Sequence, residues 1–266
     1  MATLPDPLPR LHSLGLDLPP GELVGSDGPL LWLGSDRPVP GAFAKLRAVS
    51  RPVGLLPVLL DLDARHGALE HWESAPDEMS YPGDHDPEEV LADFWDECCA
   101  EEGGDWPGLA APAPPAGNSD PGSSPVGNSD ADDPDAVAER VADELLSAGG
   151  ALKEPRLALV PARRSADIPA ALGWLGAVNH ADDAGRLGAV LRSWEDRFGI
   201  RLVALGFDEL VVSVAVPPVT GAEARAVAAE HFAFCPDNLW QGSTPTLDAY
   251  AERHVRAQPA WHFWWD

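Results

Sequence analysis

His231 and Cys235 stand four residues apart within residues 230–242, which read E-H-F-A-F-C-P-D-N-L-W-Q-G. An imidazole one helical turn from a thiol can lower the thiol pKa and create a nucleophile. The same pair can supply half of a zinc site, with Asp237, His254 and His262 as further potential ligands. A third reading is a core histidine beside an inert buried cysteine, each satisfied by its surroundings. Beyond Cys235, the run Pro236-Asp237-Asn238 reads as a turn, because proline stops a helix and Asp and Asn favour the bend that follows. In the functional reading of that turn, Asp237, Asn238 and Gln241 present polar groups at a site rim beside Trp240. The other reading is plain turn chemistry. No four-ligand spacing and no paired-cysteine motif is present, so no metal and no cofactor are expected.

Other chemistry-bearing residues are scattered. Cys98 and Cys99 are adjacent in an acidic segment, where neighbouring carboxylates raise a thiol pKa. Residues 61–106 carry sixteen Asp and Glu against one basic residue, Arg65. Such a stretch can recognise a basic protein, chelate cations or form a solvated face. His66, His71 and His85 lie among these acids at spacings that match no metal motif. The Gly-x-Ser-x-Gly, P-loop and H-E-x-x-H patterns are absent, and Ser213 lies in a strand without the context of a nucleophile elbow.

The elements that must position these residues follow from periodicity. Thr220 and Glu223 have the form of a capping box and open a helix over 221–234. Its projection puts Ala224, Val227, His231, Phe234 and Cys235 on one side. Residues 187–198 form an amphipathic helix ended by Gly199, and strands over 200–205 and 210–216 make an antiparallel hairpin. Upstream come a helix over 136–146 and a strand over 156–161. A further helix runs from Thr244-Pro245 to about Ala257. The closing W-H-F-W-W-D reads as a strand with Trp261, Phe263 and Trp265 on one face and His262, Trp264 and Asp266 on the other. Large rings on both faces predict an internal strand covered on both sides.

In the first half, strands over 30–33 and 53–60 flank a weak helix over 41–49, and Pro57 argues for an edge or a bulge. Asp86-Pro87-Glu88-Glu89 starts a helix that runs to about Cys99. Residues 107–135 are dominated by Pro, Gly, Ala, Ser and Asp and contain G-N-S-D twice, at 117–120 and 127–130. That composition predicts a flexible linker. The expected fold is α+β: an N-terminal lobe over 1–106, a disordered linker over 107–135 and a C-terminal α+β domain over 136–266.

Composition narrows the function. The 266 residues carry 43 acids against 18 bases, a formal charge of −25. Such a surface repels phosphate backbones and anionic membranes, so neither nucleic acid nor membrane is expected as a partner. A basic protein suits it. Three cysteines, two of them adjacent, offer no disulfide framework, and the first residues lack a signal-peptide pattern. A cytoplasmic protein is the expectation.

Four segments resemble a known family: A-D-I-P-A-A-L-G-W-L-G (166–176), L-R-S-W-E-D-R-F-G (191–199), A-A-E-H-F-A-F-C-P-D-N (228–238) and W-H-F-W-W-D (261–266). In order and content they are similar to domain-of-unknown-function family 4253, a bacterial and mainly actinobacterial family, over about residues 156–266. The resemblance implies a domain boundary and a compartment but no activity. The functional expectation is a non-enzymatic binding protein, in one version immunity- or antitoxin-like, that neutralises a basic partner. The alternative is a small-molecule or hydrolytic enzyme with its site around His231, Cys235, Asp237 and Asn238.

Overall fold

Seven strands form one mixed sheet. They are β1 (Gly21–Val24), β2 (Leu31–Gly34), β3 (Leu55–Asp61), β4 (Pro155–Pro161), β5 (Ile200–Leu205), β6 (Glu209–Val214) and β7 (Ala260–Trp264). The computed structural model describes residues 6–25, 30–63, 69, 72, 74–99, 104–112, 133–147, 149–244 and 246–266, with Cys99 described by its backbone alone. The strand order is β1-β2-β4-β3-β5-β6-β7. Every pairing is antiparallel except β3 with β5.

β3 to β6 are buried almost end to end, as strands are when both sheet faces are covered. One face packs under α2 (Pro87–Cys99), α4 (Ile168–Leu172), α5 (Ala184–Phe198) and α6 (Gly221–Phe234). The other packs under α1 (Ala42–Ser50), α3 (Pro134–Leu146) and the N-terminal turn that carries Leu8 and Leu11. Alternate strand residues supply the two cores. Val58 and Leu60 of β3 face the first, whereas Leu55 and Leu59 face the second.

The helices begin and end where side chains allow it. Asp183 caps α5 by accepting from Gly185 N, and Gly199, at φ 62°, closes it in the left-handed conformation that costs glycine little. The Thr220–Glu223 capping box at α6 is complete in both directions. Asp133 caps α3.

The α+β class and the mixed sheet match the expectation from sequence. The arrangement of the two halves is more intimate than separate lobes. β3, from the N-terminal half, is bonded between β4 and β5 of the C-terminal half, so both halves share one sheet. The segment expected to be linker contributes structure at each end. Pro134 already belongs to α3. Ala110 is buried, and its N–H and C=O bond to Glu230 and Arg197. Residues 113–132, with both G-N-S-D repeats, lie outside the described residues.

Three local expectations change. β7 lies at the sheet edge, not inside it, because only β6 pairs with it. Its Trp261 and Phe263 are buried, as is Trp265 just beyond it, Trp264 is half-buried and His262 is exposed. The helix expected from Thr244 to Ala257 is shorter and starts later. Thr246 caps α8 (Leu247–Tyr250), which passes into one π-helical turn, Ala251–Val255. Pro57 sits in a central strand. It pairs with Leu159 of β4, and β5 joins β3 only further on, at Leu59 and Leu60, so the missing N–H breaks no β3–β5 rung.

Candidate functional site

His231 and Cys235 lie inside the first core. Trp194 of α5 stacks on Phe263 of β7 at 5.4 Å, and Phe234, Trp261 and Trp265 close round them. The His231 ring is held among Trp194, Trp261 and Phe263 at 4.5–5.1 Å and is only 1% exposed. Its Nδ1 lies 3.3 Å from the Tyr250 hydroxyl, and its Nε2 has no hydrogen-bond partner. Burial, then the nearby charges of His254 and Arg197, pushes its pKa down to about 3. Burial pushes the Cys235 thiol upward, and its S–H donates to Trp264 O at 2.9 Å. A protonated thiol and a neutral imidazole, both sealed from solvent, do not make the nucleophile pair or the half zinc site their spacing suggests. Among the described residues no group of three metal-ligating side chains converges.

The turn after Cys235 has a structural task. As an edge strand, β7 leaves peptide groups unpaired on its outer side. Asn238 meets them as a surrogate peptide: its Nδ2 donates to His262 O at 2.7 Å, and its Oδ1 accepts from Trp264 N at 3.1 Å. The same Nδ2 reaches Tyr250 Oη at 3.1 Å. Asp237 accepts from the N–H of Asp266, and Gln241 Nε2 donates to Asp237 and to Asp266. Cys235, Asp237 and Asn238 therefore clasp the outer edge of β7. Cys235 closes α6, and Asp237 and Asn238 stand on the short helix α7 (Asp237–Trp240).

Beside the clasp opens a polar cleft of about 400 Å³. His254, His262, Arg253 and the Tyr250 and Asn238 side chains face it. Both histidines keep exposed surface, but desolvation of their rings, helped by Arg253 at His254 and by His254 at His262, lowers their pKa. The cleft thus offers two imidazoles biased toward the neutral form, suited to hydrogen bonding.

Trp240 is the candidate that offers a large apolar surface to solvent, since it is 57% exposed. It ends a row of four rings: Trp106 against Trp95 at 5.6 Å, Trp95 against Phe232 at 5.7 Å and Phe232 against Trp240 at 5.7 Å. Trp95 belongs to α2, whose exposed side carries Glu88, Glu89, Asp93, Asp96 and Glu97. Glu97 and Asp237 also lie close enough to His180 to oppose the fall in its pKa that burial causes. His180 bonds to Ala233 O. Asp96 and Glu97 follow Trp95 on α2, and Asp237 shares α7 with Trp240, so carboxylates flank the two ring-bearing elements in sequence. Asp96 and Glu97 stand in the last turn of α2, where the helix dipole disfavours negative charge.

Two residues escaped sequence reasoning. Glu230 is 0% exposed and accepts from Trp194 Nε1, Arg197 and Ala110 N. It fixes residues 104–112 across α6, and with them Trp106. Its only signal is a charged residue on the apolar side of the α6 projection. Ser80 donates to Asp183 at 2.6 Å and also contacts His85 Nε2. The serine lies between the other two, so Asp183 does not hold His85 as the base for Ser80, the order that a hydrolase triad needs. Cys98 is half-buried, and His66 and His71 lie outside the described residues.

Residues 156–266 match the family described as domain of unknown function (DUF4253). No curated protein and no solved structure matches the chain significantly. Among the described residues no helix is long and apolar enough to cross a membrane.

Proposed function

We propose that the chain carrying this domain is a non-enzymatic binding protein, which holds a basic partner against the acidic side of α2 and the aromatic row that ends at Trp240. The row is the observation that carries this reading. Four rings in series end in a tryptophan left 57% exposed. Tryptophan is enriched at the energetic centres of interfaces, and its face attracts guanidinium and ammonium groups. The carboxylates of Asp96, Glu97 and Asp237 would pair with the same cations. Asp96 and Glu97 stand at a helix end where each costs about 0.3–1 kcal/mol. That cost is compatible with a task other than stabilising α2. A net charge of −25 would speed encounter with a basic protein. The finer reading is a cytoplasmic immunity- or antitoxin-type protein that neutralises such a partner.

The test compares three baits in lysate of the source cell: the wild type, Trp240→Ala and the double variant Asp96→Asn/Glu97→Gln. Truncating a central tryptophan costs about 2 kcal/mol or more, roughly thirtyfold in affinity. A basic protein kept by the wild type and lost by both variants is the expected result. The charge-neutralised bait should differ most at low salt. Equal capture by all three baits, or capture of no basic protein at either salt, overturns the proposal.

A further inference from the structure

The polar cleft beside β7 is built where the backbone departs from regular structure. Ala251–Val255 is the only π-helical turn among the described residues, and such turns occur frequently at functional sites. Two residues beyond it, Ala257 has a φ of 53°, the only positive φ outside glycine among the described residues. That conformation is strained for a residue with a Cβ and persists only where the surroundings fix it. Here Ala257 N–H donates to Pro218 O at 2.8 Å, and Arg256 is held by Val219 O and Glu252. The cleft takes Arg253 and His254 from the π turn and Gln258 from beyond Ala257.

The opposite wall comes from the other face of the sheet. Trp261 and Phe263 enter the first core, so Ala260 and His262, which alternate with them, lie on the α3 side of β7. The last turn of α3 adds Glu144. The charged groups of the lining are therefore one cation and one anion, Arg253 and Glu144. Both are exposed, and among the described residues neither side chain makes a hydrogen bond or an ion pair, with the other or with any third group. His254 and His262 lean to the neutral form, in which each ring has one N–H donor and one nitrogen acceptor. The lining thus has no net charge. A simple anion would be opposed by Glu144 and by the charge of −25 outside, and a simple cation by Arg253. A molecule that carries both charges meets neither penalty and satisfies both residues at once.

We propose that this cleft binds a free amino acid with an uncharged polar side chain. The Arg253 guanidinium takes the α-carboxylate by paired N–H donors, and Glu144 takes the α-ammonium. His254, His262 and Gln258 offer donors and acceptors to the side chain. The volume of about 400 Å³ lies within the roughly 300–1,000 Å³ of small-molecule sites. The cleft shares no residue with the Trp240 row.

Thermal-shift screening of the full chain against each standard amino acid, then calorimetry of the tightest, tests it. The expected result is saturable 1:1 binding of an amino acid with an uncharged polar side chain. Its N-acetyl derivative lacks the ammonium and its amide lacks the carboxylate, so each should bind about tenfold more weakly. Two variants assign the contacts. Glu144→Gln should lose the preference over the N-acetyl derivative and keep that over the amide, and Arg253→Gln should do the reverse. Both residues are exposed, so circular dichroism should show an unchanged fold. Binding of no amino acid, tightest binding of an apolar or charged one, equal binding of the parent and its two derivatives, or both preferences intact in both variants overturns the proposal.

Discussion

Replacing His231 by phenylalanine should flatten the acid side of the stability profile. In the fold this imidazole has a pKa of about 3, against 6.5 for an ordinary histidine. Between those values the unfolded chain binds a proton at this position that the folded chain refuses. The contribution is therefore fully present above about pH 6.5 and is lost as pH falls toward 3. One proton per molecule is worth about 1.36 kcal/mol per pH unit. From pH 7 to pH 4 the wild type should lose about 3 kcal/mol through His231 alone, against a total of roughly 5–15 kcal/mol for a typical protein. Phenylalanine keeps an aromatic ring among Trp194, Trp261 and Phe263 but cannot take the proton. It also removes a buried nitrogen that lacks a partner. Urea unfolding of both proteins at pH 7, 5.5 and 4 measures the effect. His180, His254 and His262, whose pKa values are lowered as well, titrate in both proteins and cancel in the difference. The same loss of stability in the variant and the wild type would refute the placement of a neutral His231 in the core.

Glu230→Gln leaves the Arg197 guanidinium, 11% exposed, without its buried counter-ion and should cost about 3 kcal/mol in urea unfolding. The same variant should speed hydrogen exchange at the Ala110 amide, which donates to Glu230; unchanged exchange would argue against the anchoring of residues 104–112. Asn238→Ala deletes bonds to His262 O, Trp264 N and Tyr250 Oη. It should lower stability by roughly 2 kcal/mol and, by baring the edge of β7, raise light scattering at high protein concentration. A variant as stable and as monodisperse as the wild type would count against the clasp.

Local signals in the sequence were read well because their causes are local. The α6 capping box, the Gly199 stop of α5 and the β5–β6 hairpin each depend on a few neighbouring residues. What escaped depends on contacts far apart in the chain. The place of β3 between β4 and β5 joins residues about a hundred or more positions apart, and no periodicity encodes it. Trp264 suggested a second covered face for β7, yet its half-buried ring is accommodated at a sheet edge. Asn238 looked like turn chemistry because its partners, His262 and Trp264, lie some 25 residues on. The composition of residues 107–112 hid an anchored strap, since backbone bonds from Ala110 to Glu230 and Arg197 leave no mark on residue types. His231 and Cys235 stayed ambiguous because one spacing serves both a site and a core. Only the surrounding rings decide between them.

The position of β3 also bears on what a domain is here. The matched residues, 156–266, begin within β4 and contain β5, β6 and β7, but not the strand that joins β4 to β5. Taken alone they would leave a strand-wide gap in the sheet and two bare edges facing it. The unit that sequence similarity delimits is thus not a unit that closes its own sheet, and a segment from outside it must complete the fold. In this chain that donor is Leu55–Asp61, and residues 113–132 lie between the donor and the acceptor. A cut in that interval would sever none of the seven strands of the sheet. It would turn one protein into two complementary fragments, the first inserting β3 into the second as a key into its lock.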